Sequence, residues 1–252
     1  MFTNRYIFTY ASIMVIVVAA ILSSAAMVLK PFQLANIKAE KIQGILASAN
    51  IETERDGAEE IYNQKIIEEI AIDSDGNVIS RFKDGEFKKG DIRPFEIKLK
   101  EQIDLKKKLD AGNPTENPVW PIFVIENNGK RSYVVPVRGM GLWGPIWGNI
   151  AFEGDFNTIA GATFDHKGET PGLGAEINTD WFEGPFKGKT IFDENGNFVS
   201  ITVVKGGVEN SSDVQAEHGV DAISGGTITS DGVSMMLEDC LENYVPYIKK
   251  NK

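Results

Sequence analysis

Apolar and polar positions recur along this chain with three different periods, and each period predicts a different kind of element. From Ile7 to Leu29 the chain carries no charge over 23 residues. About 20 helical residues cross the hydrocarbon core of a bilayer, so the run predicts a transmembrane helix. Ser23–Ala26 has the small residues of a signal-cleavage site. The apolar run continues past it to Leu29 and is longer than a signal core, so a retained anchor is predicted.

Beyond Lys30 the period becomes that of an amphipathic helix. Leu34, Ile37, Ile42, Ile45 and Leu46 share a stripe that carries the helix to Asn50, with Pro31 as a place where it can kink. A second stripe through Ile61, Tyr62, Ile66 and Ile67 predicts a helix over Ala58–Ile70. A lysine-rich helix is expected over Leu99–Leu109.

Elsewhere the period is two. "EIAIDSDGNVISRF" reads as a hairpin with a glycine-asparagine turn. Its "DSDGN" is not a calcium loop, because Val78 and Asp84 stand where such a loop needs glycine and glutamate. "WPIFVIE" and "RSYVVPV" predict a hairpin around "NNGK". "NIAFEG" and "NTIAGATFD" follow as strands, and "KTIFD" with "FVSITVV" predicts a further hairpin around "ENGN". The run from Asp231 is helical through Val233, Met236, Leu237, Cys240, Leu241 and Tyr244. Local hairpins with segregated helices predict an α+β fold whose sheet is mainly antiparallel. The loop "DAGNPTENPVWP" divides it. Three parts are therefore expected: the anchor over 1–30, a membrane-proximal helical and hairpin region over 31–118, and a sheet domain over 119–252.

Composition narrows the partners. The net charge of −10 argues against nucleic acid, which needs a basic face. One cysteine, Cys240, permits no intrachain disulfide or thiolate cluster, and no metal site or catalytic residue is expected. Arg5 favours a cytoplasmic amino terminus, whereas Lys30, Lys38 and Lys41 oppose it. They precede a long domain, which translocates largely regardless of charge, so the carboxy-terminal domain is expected outside the cytoplasm.

Three glycine-rich stretches are candidate sites. "GMGLWG" (Gly139–Gly144) has the letters of a dinucleotide fingerprint, but Pro145 and a β-like run follow where that motif needs a helix. It reads instead as a loop presenting Leu142 and Trp143, either to a flat ring or to the core. "HKGETPGLGAEI" (His166–Ile177) places Thr170 and Leu173 among glycines, as a ligand loop or as a tight turn, and His166 with Glu169 could form an acid–base pair. "DAISGGTITS" begins at Asp221 and leads into the last long helix, expected to start near Thr229 or Ser230. Its hydroxyls could cap that helix, or its free N–H groups could receive a phosphate. Lys205, at a strand end beside Gly206, could meet an anion.

Together these stretches resemble a known family. Asp221, Ser224, Gly225, Gly226, Thr227 and Thr229 are similar to the flavinylation motif Asp-x-x-(Ser/Thr)-Gly-Ala-(Ser/Thr)-x-Thr of FMN-binding domains, with Gly226 standing where alanine is usual. "GMGLWGPIWG", "EGDFNTIAGATFDHKGETPGLGAEI" and the single anchor resemble the C subunit of the sodium-translocating NADH:quinone reductase over essentially the whole chain. The resemblance implies an FMN-binding domain over 119–252, with FMN joined through its phosphate to Thr229 by a separate flavin transferase. It implies that Leu142, Trp143, Thr170 and Leu173 line the isoalloxazine and that Lys205 lies close to it. It also implies an electron carrier in a bacterial inner (cytoplasmic) membrane complex, with the other membrane and flavin subunits as partners and the carboxy-terminal domain on the periplasmic side. The rival readings are the equivalent subunit of the related ferredoxin:NAD oxidoreductase complex, and an anchored binding module that never acquires flavin.

Overall fold

The structure is a computed structural model that describes residues 3–113 and 115–251. Met1 and Phe2 of the expected anchor, Pro114 of the expected 110–121 loop, and Lys252 lie outside the described residues. The chain divides into two compact units, 1–41 and 42–252. The first is helical: α1 (Asn4–Ser48) continues through Pro31 and is long and apolar enough to cross a membrane. Its side chains from Tyr6 to Ile37 are largely exposed.

The second unit is α+β. Its secondary structure after α1 runs α2 (Ala58–Lys65), β1 (Ile66–Ile72), β2 (Val78–Lys83), β3 (Glu86–Lys89), α3 (Leu99–Asp110), β4 (Trp120–Asn127), β5 (Lys130–Met140), β6 (Pro145–Phe152), β7 (Ile159–His166), a short α4 (Asp180–Glu183), β8 (Thr202–Val204), β9 (Gly219–Asp221), α5 (Thr227–Leu241) and α6 (Val245–Asn251). Strands β1 to β7 form one antiparallel sheet in the order β3-β2-β1-β4-β5-β6-β7. The division expected at 118/119 falls between α3 and β4, and the sheet is continuous across it through the β1–β4 pair.

Period-two alternation gives the sheet two apolar faces. Phe123, Ile125 and Val134 pack with Ile42, Ile45 and Leu46 from the end of α1 and with Tyr62 of α2. Ile122, Val124, Val135 and Val137 pack with Val233, Met236 and Leu237 of α5. Burying each such side chain contributes about 1.5–3 kcal/mol, so the two layers hold the central strands from both sides.

Two local expectations are corrected. Helix α2 ends at Lys65, because Ile66 turns extended and pairs with Ile125 as the first residue of β1. Ile66 and Ile67 are thereby partly buried as strand residues packed against the two cores rather than along a helix. The hairpin expected around Asn195–Gly196 shrinks to a single bridge between Phe192 and Phe198. There Asp193 holds a tight turn by accepting from the N–H groups of Asn195 and Asn197, and the following strand β8 pairs in parallel with β9 instead. In the first hairpin Asp73 does the same for Asp75 and Asn77, so "DSDGN" is a side-chain-stapled turn.

Candidate functional site

Three segments remote in sequence meet at the amino end of α5. The first is the turn between β5 and β6, closed by the Gly141 N–H donating to the Gly144 carbonyl at 2.8 Å. No helix follows it. The turn pushes Leu142 and Trp143 outward, 49% and 70% exposed. Trp143 is therefore a surface residue, and of the two readings open for this loop the core one falls away.

The second segment follows β7. Thr170, Pro171, Gly172 and Leu173 form an exposed turn, and Glu169 before it is buried. The indole N–H of Trp143 donates to Thr170 Oγ1 at 3.2 Å, tying the two turns together. The acid–base pairing expected of His166 and Glu169 is corrected: His166 Nδ1 accepts from the backbone N–H of Glu169 at 3.1 Å, and the carboxylate points elsewhere.

The third segment is the start of α5. The helix begins at Thr227, two residues before the earlier of the two expected starts. Gly225, at φ +77°, reverses the chain, the Gly226 N–H donates to the Ile223 carbonyl, and Ser230 closes the first helical bond to Gly226. Gly226 is the N-cap, and no side chain caps it. The capping explanation for the hydroxyls therefore does not hold, and the first-turn N–H groups retain the partial positive charge of a helix start.

Thr229, in that first turn, is 2% exposed, and its hydroxyl donates to Glu169 Oε2 at 2.6 Å. The same carboxylate accepts from the N–H of Trp143 at 2.8 Å and of Leu142 at 3.3 Å. Burial pushes the Glu169 carboxyl up, but the hydrogen bonds from the Thr229 hydroxyl and the N–H groups of Trp143, Leu142 and Gly144 outweigh it and hold the group below the usual carboxylate range. The fit is close. A Cβ at Gly174 would lie far inside contact distance of Thr229 Oγ1, and one at Gly141 would stand 2.7 Å from Glu169 Oε1.

Of the remaining motif residues, Gly225 and Gly226 pack against the turn from Thr170 to Gly174. A Cβ at Gly225 would come within 2.7 Å of Leu173, and one at Gly226 would stand 3.1 Å from Ile223 and 3.3 Å from the Gly174 nitrogen. The departure at Gly226 thus coincides with a tight backbone approach. Ser224 is exposed, and Thr227 opens the helix. Asp221 ends β9 opposite Val204, so it and Lys205 are brought to neighbouring strand ends; its carboxylate accepts from the Val208 N–H at 2.8 Å. Glu169 is the residue that sequence reasoning did not connect to Thr229. The two lie 60 positions apart, and no local pattern links them.

Residues 141–242 match the FMN-binding domain family. Over 226 residues the chain is 34% identical to the C subunit of the Na(+)-translocating NADH-quinone reductase of Vibrio campbellii, covering 86% of this chain and 83% of the relative. The chain belongs to this C-subunit family. A crystal structure of the family member from Parabacteroides distasonis is 39% identical to it and aligns with a TM-score of 0.69 over 87% of this chain and 96% of that one. The Shewanella oneidensis NqrC structure is 29% identical, with a TM-score of 0.66 over 86% of this chain and 98% of its own. The part of this C-subunit family member that matches the FMN-binding domain opens at Gly141, the first residue of the Leu142–Trp143 turn, and closes just after α5. It contains all three segments of the site.

Proposed function

We propose that this chain is the membrane-anchored FMN carrier of a sodium-translocating NADH:quinone reductase, with FMN joined through its phosphate to Thr229 Oγ1. The observation that carries this reading is the place of Thr229: a hydroxyl in the first turn of a helix without a side-chain cap, joined through Glu169 to a turn that holds an indole out to solvent. The free N–H groups of that first turn favour a phosphate, and the Glu169 carboxylate gives up its bond from Thr229 Oγ1 when the ester forms. The glycines at 141 and 174 leave room for the Glu169 and Thr229 side chains, which an added Cβ at either position would have to displace. Once attached, the flavin supplies the electron-carrying chemistry, and the protein supplies binding, orientation and electrostatics.

In this reading Leu142, Trp143, Thr170 and Leu173 lie along the ring, and Asp221, Ser224, Gly225, Gly226 and Thr227 shape the attachment loop. Lys205 offers a cation at the β8 end. A flavin transferase matures the chain, and the other subunits of the reductase exchange electrons with it while the complex exports sodium. The direct test is the intact mass of the chain expressed with and without a flavin transferase. A gain of one FMN, mapped to the peptide holding Thr229, is the expected result; FMN on another residue would sink the assignment.

The placement of the ring has its own test. Trp143→Leu is expected to leave attachment intact, since the ester does not involve the ring, and to raise flavin fluorescence by removing an electron-rich neighbour. It should also move the flavin potential by tens of millivolts, where about 59 mV corresponds to a tenfold change in a one-electron equilibrium. Unchanged fluorescence and potential would place the ring elsewhere.

Orientation follows from the tether. A domain outside the cytoplasm has no FMN pool to draw on, so covalent attachment keeps the cofactor from being lost. Protease added to right-side-out spheroplasts is expected to digest the part after Lys30 while the helix stays in the membrane. Complete protection of the chain would reverse the orientation.

A further inference from the structure

A hydroxyl oxygen that becomes an ester must shed its proton as the new bond forms. Thr229 has an acceptor for that proton already in place, Glu169 Oε2, at 2.6 Å. The acceptor is itself oriented by the backbone N–H groups of Trp143 and Leu142. A nucleophile, a base within hydrogen-bond reach and a group that fixes the base form the arrangement by which proteins activate hydroxyls. Hydrogen bonds from the Thr229 hydroxyl and from the N–H groups of Trp143, Leu142 and Gly144 outweigh the penalty of burying the carboxylate, so it is ionised at neutral pH.

We infer that Glu169 is a catalytic residue in the modification of its own chain, taking the Thr229 proton as the flavin phosphate is attached. The inference rests on the reading of Thr229 as the FMN acceptor. The donor it requires is a flavin dinucleotide, presented by the transferase. Thr229 Oγ1 bonds to the flavin-side phosphorus, and the P–O bond of the diphosphate bridge breaks. The nucleoside monophosphate leaves with the bonding electron pair, and the hydroxyl proton passes to Glu169 and on to solvent. Nothing is oxidised or reduced.

Thr229 is covered by the turn that directly follows Glu169, so Oγ1 is reached only when that turn moves. The cover is the turn ending at Gly174, whose residues Thr170 to Leu173 are exposed and which bends through Gly172 at φ +76°. The base is pinned to the Leu142–Trp143 turn across the site. Lifting the cover breaks the Trp143–Thr170 hydrogen bond, and the two backbone bonds from the Leu142–Trp143 turn hold the Glu169 carboxylate in place.

The test uses the full chain with the transferase and a flavin dinucleotide, and follows the initial rate of attachment by intact mass. Glu169→Gln is expected to lower the maximal rate by about 100-fold, the lower range for loss of a positioned base, while the dinucleotide concentration at half-maximal rate changes little. Glu169→Asp is expected to recover part of the rate. Attachment to Glu169→Gln within a few-fold of the unaltered chain would overturn the inference and leave the Thr229 assignment standing. A fall in melting temperature matching the fall in rate, with no recovery in Glu169→Asp, would assign the carboxylate a structural role and also overturn it. If the unaltered chain gains no FMN, or gains it equally with Thr229→Ala, the acceptor assignment itself fails and the inference with it.

Discussion

A chain carrying Thr229→Ala, produced together with a flavin transferase, is expected to show only its unmodified mass. Esterification needs an oxygen nucleophile, and the neighbouring hydroxyls cannot take over. Thr227 lies two residues away along α5, where the helical twist turns it about 200° from Thr229, away from Glu169. Thr227→Ala is accordingly expected to leave attachment at Thr229 intact. The folded chain should survive the loss. Removing one hydroxyl from a hydrogen bond to a charged acceptor costs about 1.5–3 kcal/mol, and Glu169 keeps its backbone donors from the Leu142–Trp143 turn. Covalent flavin on Thr229→Ala, detected after denaturation, would refute the assignment.

Gly232→Ala is expected to lower stability by about 1–3 kcal/mol, the range for forcing an extra methyl into a packed site. In most helix interiors this change stabilises by about 1 kcal/mol. Here a Cβ would press into the backbone carbonyl oxygen of Met140 at the end of β5, and no side-chain rotation relieves a clash with backbone. Gly139 faces Met236 in the same manner, with 2.7 Å between an added Cβ and that side chain. Helix α5 therefore lies directly on the backbone of β5, and an alanine must push the two apart. Because Thr229 and the Leu142–Trp143 turn stand on opposite sides of that contact, the separation should also reduce flavin loading. Thermal melts and intact mass on the same preparation check both effects; a melting temperature equal to or above that of the unaltered chain would show that α5 has room to spare.

What was legible in the sequence followed the range of the interaction. The β4–β5 hairpin was readable because alternation and the turn residues lie close to one another along the chain. The apolar stripe of α5 was readable for the same reason, and so was the charge-free run of α1. The end of α2 was not, since Ile66 and Ile67 suit a helix stripe and a buried strand equally, and the choice is made by Ile125 of β4. The parallel pairing of β8 with β9 depends on a partner 17 residues away, as Thr202 meets Gly219, and nothing in either segment announces it. In the site, the glycines and the exposed Trp143 were visible as letters. The capping question was settled only by the backbone at Gly226, and the Glu169–Thr229 bond only by the packing of two turns against a helix.

The β1–β4 pair also decides how a cut chain behaves. Residues 111–113 and 115–117, between α3 and β4, lie largely at the surface, where proteases nick most readily. The two pieces produced there would each carry one strand of the pair, and Ile70 and Ile122, directly opposite in its register, are both buried in the core. A single clip would thus leave the halves held together as a non-covalent heterodimer, as in a split protein, with the Thr229-bearing half still docked on the half that carries α1. Release of the acceptor-bearing fragment would then follow denaturation rather than cleavage, so digestion of this protein on a membrane is read from a denaturing gel and not from what washes off the vesicles.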